Sequence, residues 1–262
     1  MTEDYSQASE AETNEFWDEK ARANKDNPSR AVGVDDELRT RCIENAQRIV
    51  VGRALRRAVS SLDGKTERVL DFGCGVGRWL PHLDANFDAY LGVDISSEML
   101  DIARKNYPQS KFSRLNNFTI DAEDTSFCLA FCIAVLHHNS YVNQDALIRE
   151  LSRVVRPGGQ LLLLESKGAR MCGSGRIFYS RPVTDWIETV ESEGFRHVET
   201  TGTCYQFADR IFAKVFSRAV ARRPLMYRTS IFFDSQVMPY ITPMLPGRFH
   251  ERVLMRFERS SA

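Results

Sequence analysis

The chain has 262 residues, 43% hydrophobic and 27% charged, with 35 basic and 35 acidic side chains; this length suits one large domain with a full core, not two ordinary domains and a linker, and the even charge gives no reason to expect a nucleic-acid partner. Six cysteines (Cys42, Cys74, Cys128, Cys132, Cys172, Cys204) form no CxxC pair and no Cys/His zinc spacing, so no metal site is indicated and reduced thiols are expected. No run reaches the ~18 apolar residues of a spanning helix, and Met1 to Glu15 is acidic and polar where a signal peptide would be basic and then apolar, which points to a soluble, cytoplasmic protein.

In chain order, residues 1–65 read as a helical cap, with helices over Thr13 to Asn24 and Leu38 to Ser61. From residue 66 short apolar runs alternate with helical patterns. Arg68-Val-Leu-Asp-Phe72, Tyr90-Leu-Gly-Val-Asp94, Lys111 to Leu115, Cys128 to Val135 and Gln160 to Glu165 suit strands of a parallel sheet, which is buried on both faces. Between them, helices are predicted over Arg78 to Asn86, over Ser97 to Tyr107 behind a Ser-Ser cap, and over Tyr141 to Val155, stopped by Arg156-Pro-Gly-Gly159. Such alternation predicts right-handed βαβ units in a doubly wound α/β sheet, mostly parallel, spanning residues 66–262. After Glu165 come a helix over Val183 to Glu193, a strand from His197 to Tyr205, a helical insertion over about 209–246 and a last strand, Arg252 to Phe257. Both helical additions either cover the ligand side or only cap the core.

The chemistry-bearing segment is Val69-Leu-Asp71-Phe-Gly73-Cys-Gly75-Val-Gly77, at the end of the first strand. Glycines let the backbone turn tightly and approach a ligand where side chains would collide. Seventeen residues past Gly77, Asp94 closes the second strand, at the sheet edge where a carboxylate accepts both hydroxyls of a ribose. Two cofactors fit this much. A dinucleotide loop spaces its glycines G-x-G-x-x-G, whereas here G-x-G-x-G runs into Arg78 and Trp79; Asp71, just before the glycines, repels a pyrophosphate and suits a cationic ammonium or sulfonium ligand.

Together, Val-Leu-Asp-Phe-Gly-Cys-Gly-Val-Gly, Gly-Val-Asp-Ile-Ser, Ala-Val-Leu-His-His and Arg-Pro-Gly-Gly, in that order over residues 66–166, resemble the small-molecule class I methyltransferases that use S-adenosylmethionine (SAM). The resemblance implies a Rossmann-like seven-stranded sheet and SAM as the cofactor. It places Gly73 and Gly75 against the methionine part, Asp71 near its amino group and Asp94 on the ribose. The adenine position, acidic in that family, is held here by Asn116-Asn117, whose amide oxygens can still accept the hydrogen bond. The family's Phe-Asp before the fourth strand is Phe127-Cys128 here. His137 and His138 end the fourth strand, and one of them is the candidate general base for a protonated acceptor, the other a packing residue. Trp17, Tyr179 and Tyr205 read as core or rim aromatics.

The expected reaction is methyl transfer to a small-molecule hydroxyl, amine or carbon, with an NAD(P)-dependent oxidoreductase or a non-catalytic SAM-binding module as alternatives. Charge is uneven: residues 1–166 carry 20 basic and 26 acidic side chains, residues 167–262 carry 15 and 9. Arg210, Lys214, Arg218 and Arg222 recur at every fourth position beside an apolar stripe, so 209–223 reads as a basic amphipathic helix, either a lid with a solvated face or a contact for an amphiphilic or anionic acceptor at a membrane surface.

Overall fold

The computed structural model describes residues 10–24, 37–62, 68–83, 87–168, 179–204, 207–208, 211, 224–245, 247 and 250–261. The proposed amphipathic helix 209–223 and Tyr205 therefore lie outside the described residues, apart from Ile211. Among the described residues there are seven strands: β1 (Arg68–Phe72), β2 (Ala89–Asp94), β3 (Lys111–Arg114), β4 (Phe127–Ile133), β5 (Val155–Ser166), β6 (Phe195–Thr203) and β7 (Arg252–Arg259). They lie in one sheet in the order β3-β2-β1-β4-β5-β7-β6. The first five run parallel, and β7 is antiparallel to both its neighbours. Chain order reverses between β1 and β4, which opens a crevice at the carboxyl ends of those strands.

The helices are α1 (Glu10–Ala23), α2 (Glu37–Ser60), α3 (Ser97–Asn106), α4 (Tyr141–Val154), α5 (Val183–Ser192), α6 (Pro224–Phe232) and α7 (Met238–Ile241), with a π-helical turn, Phe233–Val237, between the last two. Successive strand residues face opposite sides of the sheet. Leu70, Phe72, Ala130, Cys132, Leu161 and Leu163 pack with Leu147, Ile148 and Leu151 of α4 and Trp186 and Val190 of α5. Val69, Leu129, Phe131, Ile133, Leu162 and Leu164 pack with Val50, Val51, Ala54, Leu55 and Ala58 of α2. Each large aliphatic side chain buried in these layers contributes about 1.5–3 kcal/mol. Helix α3 caps through Ser96, whose side chain accepts from Met99 N–H at 3.1 Å, and α4 through Ser140.

Two expectations are corrected. The stretch Arg78 to Asn86 forms only a short 3₁₀ turn, Leu80–His82, among its described residues. Pro81 has no N–H to continue a helical ladder, and α2, from outside the strand series, already covers that face of the sheet. The Arg-Pro-Gly-Gly segment does not separate helix from strand, because α4 passes straight into β5 at Val155 and the motif lies within that strand.

Candidate active site

The loop after β1 bends back over the end of β2. Gly73 and Cys74 both donate their N–H groups to Val93 O, at 2.7 and 3.0 Å, and Gly73 and Gly75 take φ of +73° and +53°. A Cβ on Gly73 would lie 2.2 Å from a Val135 methyl, so this position excludes any side chain for a packing reason as well as a conformational one.

Asp94 completes the cradle. One carboxylate oxygen accepts from Gly75 N–H at 2.8 Å, the other from Ser96 N–H at 2.9 Å. Burial raises its pKa and these backbone bonds oppose the rise. Two oxygens have four lone-pair sites, so a carboxylate fixed by two backbone donors keeps acceptor capacity towards the cavity it lines. Asp71, on β1, is not among the residues that line this cavity. It is buried, accepts a hydrogen bond from the Tyr90 hydroxyl at 2.9 Å, and is pushed up to about 7, chiefly by burial, against the pull of Tyr90 and Arg78.

The cavity over these strand ends is walled by the glycine loop, by Leu115 and Phe118 after β3, by Ala134, Val135, His138 and Asn139 after β4, and by Arg252 at the start of β7. Helices α1 and α2 close it with Thr13 and Trp17 and with Thr40, Ile43, Glu44 and Gln47. Arg78 enters from the glycine loop and donates to Gln47 Oε1 at 2.9 Å. Helix α1 is held in place by Asp18, which accepts from the Ser96 hydroxyl and from Glu98 N–H at 3.2 Å.

Of the residues singled out by sequence, Gly73, Gly75, Asp94 and His138 meet at this cavity. Asn116 and Asn117 do not line it. Both are exposed, on a turn closed by Thr119 N–H to Asn116 O at 2.9 Å, with Asn117 and Phe118 in left-handed conformation, and this turn presents Leu115 and Phe118 to the cavity instead. The histidines separate. His138 lines the cavity, its ring edge-on to Trp17 with centroids 5.1 Å apart. His137 is fully buried, with Nδ1 against the Glu165 carboxylate, and burial holds its pKa well below the usual value.

Trp17, expected as a core or rim aromatic, is part of the wall. Arg78, Gln47, Glu44, Phe118 and Arg252 carry no local motif and reach the cavity only through tertiary packing. Arg78 alone had a signal, being the bulky charged residue directly after the third glycine.

A family description, methyltransferase domain, matches residues 69–159. An uncharacterized methyltransferase-like protein of Schizosaccharomyces pombe is 32% identical over 101 residues, 38% of either chain. A demethylmenaquinone methyltransferase of Chlamydia trachomatis is 33% identical over 116 residues, 43% of this chain and 50% of that protein. Residues 69–159 are thus similar to a methyltransferase domain. The matches span half or less of these two relatives' own lengths. Among solved structures, a magnesium protoporphyrin IX methyltransferase of Synechocystis with bound SAM superposes over 97% of this chain and 98% of its own with a TM-score of 0.63 at 16% identity, which establishes the shared fold. In this fold the glycine loop and Asp94 occupy the edge of the sheet at which β1 and β4 diverge.

Proposed function

We propose that the protein transfers a methyl group from SAM to a small-molecule acceptor. The observation that carries this reading is the Asp94 carboxylate, locked by Gly75 and Ser96 N–H groups beside a glycine loop that lines the cavity. The residues fit the cofactor. Asp94 would hold the ribose hydroxyls, Leu115 and Phe118 offer an apolar slot for the adenine, and Asp71 beneath the loop favours the ammonium of the methionine part. Arg78, on the cavity wall, would meet its carboxylate. When bound, SAM supplies an electrophilic methyl on a sulfonium, whose leaving group departs neutral and needs no proton.

The protein's own contribution is alignment in a closed cavity. Trp17 and Thr13 of α1 and Ile43 of α2 shield the site from water. His138 is the one histidine on the cavity wall and is the candidate to accept a proton from a hydroxyl or ammonium acceptor. His137, buried and turned to Glu165, serves structure.

Incubating the protein with radiolabelled SAM and an extract of its host, then identifying labelled products by mass spectrometry, tests the reading. Label in a small molecule, lost in Asp94→Ala, supports it; transfer unaffected by that substitution contradicts it. His138→Ala should lower turnover about 100-fold on an acceptor that must lose a proton, with SAM affinity nearly intact.

One observation favours an amphiphilic acceptor. The segment 225–244 exposes Leu225, Phe232, Phe233, Tyr240, Ile241 and Met244, and it packs on α2, which also forms the cavity wall, with Asn45 Nδ2 donating to Ser235 O at 2.7 Å. No described helix is long and apolar enough to cross a membrane. Sedimentation with anionic vesicles, reduced by Phe232→Ser with Phe233→Ser, is the expected outcome; absence of vesicle binding by the wild type rejects it.

A further inference from the structure

Glu165, near the end of β5, is fully buried and does not itself line the cavity, yet it organises one wall of it. One oxygen accepts from Val135 N–H at 3.2 Å and Leu136 N–H at 2.9 Å. The other accepts from His137 N–H at 3.1 Å and meets His137 Nδ1. Three consecutive main-chain donors are thus satisfied by one side chain from a neighbouring strand. Directly before them Ala134 is in left-handed conformation, with φ +63°, a position that costs free energy in any residue but glycine and persists only where its surroundings impose it.

The consequences reach both halves of the site. Val135 is the residue whose methyls fill the space beside Gly73. His138 follows the last clamped residue and turns its ring towards Trp17 and the cavity. Val135 O also accepts from Asn139 Nδ2 at 3.1 Å, and Asn139 O from Gln144 Nε2 at 2.9 Å, so the wall is tied down beyond the clamp as well.

We infer that Glu165 is a positioning residue: its carboxylate fixes residues 135–137 and thereby sets where Val135 meets the cofactor loop and where His138 faces the acceptor. The inference rests on the reading of the cavity as a SAM site, but its structural half does not. Burial pushes Glu165 up to about 7, opposed by the backbone bonds and by Arg252 on β7.

Glu165→Gln keeps the shape but turns an N–H₂ towards N–H donors. The test measures affinity for S-adenosylhomocysteine (SAH) by calorimetry and the titration of His138 by NMR, in wild type and E165Q. Expected are an unchanged fold by near-ultraviolet circular dichroism, SAH affinity down about tenfold, and a displaced His138 titration. An E165Q protein with wild-type SAH affinity and an unmoved His138 titration overturns the inference. If the wild type binds no SAH, the cofactor reading fails, and His138 titration together with the amide shifts of 135–137 still decides the positioning role. Should E165Q not fold, Glu165→Asp, which keeps the charge but withdraws it by one methylene, decides by the same measurements.

Discussion

Asp71 shows how burial sets a group's behaviour. With a pKa of about 7 in the fold against 3.8 in an unfolded chain, the native protein binds a proton that the unfolded one releases between those values. Stability contributed by this residue is therefore present at acid pH and is lost as pH rises towards 7. Asn carries no charge to lose, so the melting temperature of Asp71→Asn relative to wild type should climb between about pH 4 and 7 and level off above that. A flat difference would place the Asp71 pKa elsewhere. SAH affinity should move the opposite way, rising through neutral pH as the ionised carboxylate attracts the ligand ammonium, and Asp71→Asn should remove most of that slope. At this scale the sequence was informative where local chemistry is diagnostic: the glycines, Asp94 and a histidine after the fourth strand. It was silent on Glu165, Gln47 and Arg252, whose roles arise from partners far along the chain.

Helix α1 illustrates what periodicity does and does not tell. Its existence followed from the pattern, but its position over the cofactor edge depends on Asp18, which caps the amino end of α3 by accepting from Ser96 and Glu98. An acidic side chain at a helix amino terminus is favoured by the free N–H groups and the dipole there. Asp18→Ala should release α1 and speed SAH dissociation, measured by stopped-flow quenching of Trp17, whereas an unchanged off-rate would make α1 a passive cap. That the described residues after β1 form only a 3₁₀ turn was not legible because the strand–helix alternation around them is so regular; Pro81 was the local warning. Its place on the sheet is taken by α2, whose Leu55 is 4% exposed in the second core layer. Leu55→Ala should destabilise the fold by about 2–5 kcal/mol in chemical denaturation.

At the scale of the whole molecule, apolar runs buried on both faces announced a parallel sheet, and the observed strand order places the crevice between β1 and β4 where the glycine loop and His138 meet. The antiparallel insertion of β7 between β5 and β6 had no sequence signal, since strand direction is set by how the connection returns and not by the residues of the strand. The same insertion brings Arg252 to the cavity from the far end of the chain. The central claim, that this crevice is a SAM site built on Asp94, is tested most directly by calorimetric titration with SAH and with NADH of the wild type and of Asp94→Ala. SAH binding in the micromolar range, no comparable NADH binding, and an affinity loss of about 1.5–3 kcal/mol in Asp94→Ala are predicted; preference for NADH, or SAH binding that Asp94→Ala leaves unchanged, would contradict it.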